Sequence, residues 1–114
     1  MTKVSQNITA WSGDDITPRF SVTGSGGTGE DVTGASIVWV LFDDPRGGSL
    51  IRKTTDTVGH ITISSSVVDV NLSASDTSGL AGDYYHELQI TRAVDRKTQT
   101  AAVGWITLNR DLIS

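Results

Sequence analysis

Apolar and polar residues alternate with a period of two along most of this chain, and such alternation predicts β-strands. The clearest strand covers residues 84–91, with Tyr84, His86, Leu88 and Ile90 on one face. In the last predicted strand, residues 98–108, the even-numbered positions from residue 102 onward face the core. Trp105 and Val103 therefore lie on the opposite face of that strand.

Further strands are predicted for residues 4–10, 16–22, 35–42, 49–55, 60–65 and 68–72. Pro18 lacks an amide hydrogen, so the strand that carries Phe20 is expected at a sheet edge or with a bulge. The segment ASIVWVLF, residues 35–42, is apolar on both faces. That pattern favours a central strand covered on both sides, or a strand with one face held against a partner.

Ser73 and Asp76 have the spacing of a helix cap, which predicts one helical turn near residues 74–79. Tyr84 or Tyr85 is expected to anchor this turn through its hydroxyl group. With turns about every 8–12 residues, the chain is predicted to be an all-β, immunoglobulin-like antiparallel β-sandwich of seven to eight strands. Residues 1–114 form one domain, and its structural core includes Trp39, Tyr84, Leu88, Ile90 and Phe20.

The charge and composition exclude several classes of function. Thirteen acidic and nine basic residues give a net charge of −4, which disfavours binding to nucleic acid or to an anionic membrane. The chain has no cysteine, and no apolar run approaches the roughly 18 residues of a membrane span. The first residues lack the apolar core of a signal peptide, so a small standalone gene product without a secretion signal is expected.

Catalytic chemistry finds little support in the sequence. His86 is expected to be half-buried and hydrogen-bonded to backbone, and His60 to be an exposed residue at a strand start. The acid pairs Asp14-Asp15 and Asp43-Asp44 lie in predicted turns without the spacing of a calcium loop. We therefore expect no catalytic residue, no metal, no cofactor and no small-molecule substrate.

The exposed aromatic residues carry the strongest functional signal. An outward-facing Trp105 beside Val103 is typical of a protein-contact patch, although a second small core is an equally good interpretation. We predict an interface that contains Trp105, Val103 and Trp11. The glycine-rich loop at residues 24–29 is expected to be flexible and to become ordered on contact.

Several short motifs together resemble the small immunoglobulin-like domains of tailed bacteriophages. They are GDDI at 13–16, DVTGA at 31–35, GHITI at 59–63, VDVNLS at 68–73, DT at 76–77, LAGDYY at 80–85 and LQI at 88–90. Domains of this type occur at the N-termini of baseplate upper proteins, in tail-fibre adaptors and as separate small virion proteins. None of the motifs is catalytic.

The resemblance implies a non-enzymatic structural protein of a phage particle. It would dock in the tail, baseplate or neck, or decorate the capsid surface, and its partners would be other virion proteins or further copies of the chain itself. A host-surface or glycan-binding adhesion module is the alternative. A small enzyme is a third hypothesis, which would require His86 beside an acid in a deep pocket.

Overall fold

The computed structural model of the protein describes residues 3–24 and 29–110. Within this part of the chain there are nine strands and one short helix. In chain order the elements are β1 (Val4–Ser5), β2 (Ile8–Trp11), β3 (Arg19–Ser21), β4 (Ser36–Asp44), β5 (Gly47–Thr54), β6 (Ile61–Ser64), β7 (Val67–Val70), α1 (Ala74–Thr77), β8 (Gly82–Thr91) and β9 (Thr98–Asn109).

The strands form two sheets that enclose one core. The larger sheet has six strands in the order β1-β9-β8-β4-β5, with β2 also paired to β9. The smaller sheet has the order β3-β7-β6 and is antiparallel throughout. The larger sheet is antiparallel except where β1 and β2 run parallel to β9. This architecture confirms the predicted all-β sandwich and adds a parallel edge that the sequence did not indicate.

The first predicted strand is interrupted, and for this reason the strand count exceeds the expected seven to eight. β1 and β2 share one edge of β9, but Gln6 and Asn7 between them leave the regular ladder. The Gln6 amide donates to the Val103 carbonyl at 2.8 Å. A Cβ atom on Gly104 would overlap the Gln6 carbonyl group. Gly104 therefore allows the close approach of the Gln6 backbone to β9.

The second predicted strand is shorter than residues 16–22. Only β3 is regular, and Ile16 makes an isolated bridge to Leu72 instead. The carbonyl of Pro18 accepts the Val70 amide at 2.9 Å, but its ring nitrogen can donate nothing in return. β3 is an edge strand of the smaller sheet, as a strand beginning next to proline must be.

The core lies between the two sheets. Trp39, Phe20, Leu88 and Ile90 are at most 1% exposed, and Tyr84 is partly buried against them. Alternation along β8 and β9 matches the sequence prediction, since Leu88 and Ile90 are buried while the residues between them are not. The side chains that the sequence assigned to the core are thus at the core or packed against it.

The short helix α1 is fixed by groups on both sides. The Ser73 amide donates to Asp76 at 2.8 Å, which closes the expected capping box. Asp15 adds a second cap by accepting the Ala74 amide at 2.7 Å. Just after α1, the Tyr84 hydroxyl lies 3.0 Å from the Ala81 amide and 3.1 Å from the Ala81 carbonyl oxygen.

Three features together define the fold. A tryptophan is buried on central strand β4, a tyrosine hydroxyl anchors the turn before β8, and the sheet order places β8 between β4 and β9. These are the hallmarks of an immunoglobulin-like sandwich. Within the described residues, no helix has the length and apolar character needed to cross a membrane.

Candidate functional site: an aromatic face on the larger sheet

The strand register places three aromatic residues in one row on the outer face of the larger sheet. Phe42 of β4 pairs with Tyr85 of β8, and Tyr85 pairs with Trp105 of β9. Their neighbours in each strand point the other way, into the core, because side chains alternate across a strand. The row therefore crosses three adjacent strands on the face that is turned away from the core.

The three rings contact one another. The Phe42 and Tyr85 centroids are 6.2 Å apart with planes tilted by 38°, and Tyr85 and Trp105 are 5.8 Å apart in an edge-on arrangement at 72°. Trp105 is 42% exposed. Aromatic contacts of this kind hold the rings in place without burying them, so the row is ordered before any partner arrives.

A second row beside the aromatic one is mainly aliphatic. Val40 pairs with Glu87, and Glu87 pairs with Val103. Glu87 accepts a hydrogen bond from the Tyr85 hydroxyl at 3.0 Å. Burial, together with this hydrogen bond and the charge of Glu87, raises the pKa of Tyr85, so the phenol stays protonated. We call the surface formed by Val38, Val40, Phe42, Tyr85, Val103 and Trp105 the aromatic face.

The predicted interface residues lie on this side of the molecule. Trp105 and Val103 belong to the aromatic face, and the exposure of Trp105 rules out the second small core. Trp11 is 55% exposed and pairs with Asn109, farther along β9 on the same side. The predicted loop at residues 24–29 falls mostly outside the described residues, which resume at Gly29.

Sequence reasoning missed Phe42, Tyr85 and Val40 as members of the surface. A signal was present, because the segment at residues 35–42 is apolar on both faces. In the structure, only the face with Ile37 and Trp39 is covered. The alternate face is half-buried by its neighbours and carries no covering layer among the described residues.

His86 is a buried structural residue and not the half-buried one that was expected. It is fully buried, with Nδ1 3.1 Å from the Trp39 indole nitrogen and Nε2 2.7 Å from the Gln6 carbonyl oxygen. The indole can only donate and the carbonyl can only accept, so the ring is neutral with its proton on Nε2. Burial lowers the pKa of His86, and the Gln6 hydrogen bond only partly opposes this. Among the described residues, no carboxylate hydrogen-bonds to His86.

His60 is half-buried rather than exposed. It lines an open groove of about 430 Å³ that also contains the Lys53–Asp76 ion pair, 2.9 Å long. Its Nδ1 atom is buried and has no hydrogen-bond partner among the described residues. Burial tends to raise the pKa of Asp76, but the hydrogen bonds from Lys53 and Ser73 outweigh it and lower the pKa. This groove therefore contains a paired lysine and carboxylate.

The acid pairs act on the backbone. Besides the Asp15 cap on α1, Asp44 accepts the Arg46 amide at 2.7 Å in the β4–β5 turn. Asp14 and Asp43 are exposed. Within residues 3–24 and 29–110, no three histidine or acidic side chains are grouped closely enough to hold a metal ion.

Comparison with known proteins shows similarity to solved structures. No protein-family model matches the chain, and no curated protein matches it. Among solved structures, it is similar to the NK cell receptor Nkp44, a triggering partner in natural cytotoxicity. The two share 15% sequence identity over 92% of this chain and 98% of the receptor chain, with a TM-score of 0.48.

Proposed function

We propose that this protein is a non-enzymatic docking module of a tailed bacteriophage particle, which binds another virion protein through its aromatic face. The observation that carries the proposal is the row Phe42–Tyr85–Trp105, held in ring contact on an uncovered sheet surface. The assignment to a phage particle is supported by the sequence motifs at residues 13–16, 31–35, 59–63 and 68–90.

The composition of the aromatic face suits binding to a protein. Aromatic residues are enriched at the centres of protein interfaces, where they bury a large area at a low cost in side-chain entropy. Val38, Val40 and Val103 flank the rings, and β-branched side chains add little rotamer freedom that binding must freeze. A partner would therefore meet a nearly preformed apolar surface.

Polar groups at the margin of the face would set the orientation of the partner. Glu87 lies between Val40 and Val103, and Arg52 of β5 lies on the other side of Val40. Charges of both signs in one row favour a partner with a complementary pair and disfavour a wrong register. The partner is proposed to be another virion protein, with a further copy of this chain as the second possibility.

The location is proposed to be the tail, baseplate or neck, or the outer surface of the capsid. Antibody labelling of purified phage particles, viewed by electron microscopy, tests this directly. Label at the tail or baseplate supports an adaptor, and label over the head supports a decoration protein. Particles without label would contradict the virion assignment.

The docking surface itself is tested with a matched pair of variants. Phe42→Ser on the aromatic face is expected to reduce the amount of the protein in purified particles at least tenfold. Val67→Ser on the outer side of the smaller sheet is expected to leave incorporation unchanged. Normal incorporation of a folded Phe42→Ser protein would contradict docking through this face.

A further inference from the structure

From the geometry of a second surface we propose that the protein also carries a binding groove for a neutral saccharide, next to the aromatic face. The groove has a volume of about 360 Å³ and is lined by Asn7, Ile8, Thr9, Asp83, Trp105 and Thr107. This volume is at the lower end of the range for small-ligand sites. The inference goes beyond docking to a virion protein, because it concerns another class of ligand and, apart from the shared Trp105, other residues.

The floor of the groove is a row of polar side chains across three strands. Thr9 of β2 pairs with Thr107 of β9, and Thr107 pairs with Asp83 of β8. The Thr107 hydroxyl donates to one carboxylate oxygen of Asp83 at 2.7 Å. That bond orients the carboxylate, and its other oxygen is left to accept a hydrogen bond from a ligand.

Asn7 supplies a donor at one end of this row. It lies in the interruption between β1 and β2, where its Oδ1 atom accepts the Trp105 amide at 3.0 Å. Since an amide N–H must meet an oxygen, this bond fixes the orientation of the side chain and turns the Nδ2 group away from Trp105 N.

Two exposed tryptophans lie on opposite sides of the polar row, one before it and one after it along the strand direction. Trp105 lies two residues before Thr107 on β9, and Trp11 lies two residues after Thr9 on β2. They are separated by about 13 Å along the strands, from the rise per residue. An indole ring stacks on the C–H face of a pyranose, and a span of this length suits an oligosaccharide better than a single ring.

The charges and donors of the groove select a neutral sugar. Among the described residues that line the groove, Asp83 alone is charged, and the net charge of the chain is −4, so a phosphate or an acidic sugar would be repelled. A lysine or arginine side chain could pair with Asp83 and Trp105, but a cation has no acceptor for the Asn7 Nδ2 group. A sugar hydroxyl both donates and accepts, and it can therefore satisfy Asn7, Asp83 and the threonines together.

The test is a titration followed by ¹⁵N–¹H NMR, in which each of the three tryptophan indoles gives its own signal. The probes are the neutral oligosaccharides maltohexaose, cellopentaose and tetra-N-acetylchitotetraose at millimolar concentrations. The Trp105 indole signal is expected to shift with at least one of them, while the buried Trp39 signal stays in place. Asp83→Asn, which replaces one acceptor oxygen with a donor, and Thr107→Val, which removes the hydroxyl group, are each expected to weaken binding about tenfold.

A control variant separates this groove from the docking surface. Phe42→Ser is expected to keep its sugar affinity although it fails to dock, and Thr107→Val is expected to dock normally. Failure of all three sugars to shift the Trp105 signal would overturn the proposal and leave the docking function intact. A shift caused by free arginine or oligolysine and by no sugar would also overturn it, in favour of a cationic partner.

Discussion

The outer faces of the two sheets have opposite chemical character, although both sheets cover the same core. On the smaller sheet, Arg19 of β3 pairs with Asp69 of β7 in a 2.8 Å ion pair, and Thr62 of β6 continues the row. On the larger sheet, the corresponding central row is Phe42–Tyr85–Trp105. One face is polar and short, whereas the other carries a connected set of rings.

This difference indicates which features the fold requires. A two-layer sandwich needs apolar residues on the two inner faces only, and the smaller sheet meets that need with a polar outer face. The rings on the outer face of the larger sheet therefore do not follow from the demands of folding. A connected exposed patch of this kind usually marks a binding surface, and this is the physical basis of the docking proposal.

The largest expected effect is a difference in stability between variants on the inner and on the outer face of the larger sheet. Trp39→Ala should lower the free energy of unfolding by about 3–5 kcal/mol, because it leaves a cavity and removes the donor to His86. Trp105→Ala should lower it by no more than about 1 kcal/mol, since that ring is already 42% exposed. Urea denaturation of the two variants measures both values. Equal losses would show that the aromatic face is part of the core.

The next effect concerns the edge that links the first strand to β9. Gly104→Ala should destabilise the protein by about 1–3 kcal/mol, since the new methyl group displaces the Gln6 carbonyl. Hydrogen exchange should become faster at Gln6, whose amide bonds to Val103. The exposed Gln99 of the same strand provides the control, as Gln99→Ala should leave this exchange rate unchanged. An unaltered rate in Gly104→Ala would contradict the close approach.

Acid should weaken the contact between the first strand and the core. The pKa of His86 is lowered below its ordinary value of 6.5, so the unfolded chain binds the proton more readily than the folded one. The contribution of neutral His86 to the free energy of unfolding is complete above pH 6.5. It declines as the pH falls through the lowered pKa, by at most about 1.4 kcal/mol per pH unit. Unfolding by urea at a series of pH values measures the slope. His86→Phe should remove the contribution of His86 to this slope. An unchanged slope in that variant would contradict the prediction.

The smallest expected effect on stability is for matched variants on the outer faces of the two sheets. Val40→Ser and Val67→Ser should each change the free energy of unfolding by about 1 kcal/mol or less, since both side chains are only partly buried. Only Val40→Ser should weaken binding to the partner, because only Val40 lies on the aromatic face. Pull-down from disrupted phage particles measures the difference. Equal binding by both variants would contradict the proposal that only the aromatic face binds the partner.

The sequence predicted the elements that depend on local alternation. The alternation of side chains along β8 and β9 correctly placed Leu88 and Ile90 inside and Trp105 outside, because apolar and polar positions must alternate in a strand that is buried on one face. It also located the cap at Ser73 and the tyrosine hydroxyl bond near the turn. These features depend only on residues that are close together in the sequence.

Features formed by residues far apart in the chain were missed. Gln6 bonds to His86 across 80 positions, and Asp15 caps α1 across 59. The row Phe42–Tyr85–Trp105 joins three strands whose register no local pattern reveals. The sequence could therefore suggest that residues 35–42 had two apolar faces, but it could not show which side chains would stand beside them.

Hydroxyl-radical footprinting with mass spectrometry tests the central claim most directly, by comparing the isolated protein with the protein in intact phage particles. The docking proposal predicts that Phe42, Tyr85 and Trp105 are oxidised much more slowly in the particle. Val67, on the outer face of the smaller sheet, should be oxidised at the same rate in both states. Unchanged oxidation of the three rings, or protection at Val67 alone, would contradict docking through the aromatic face.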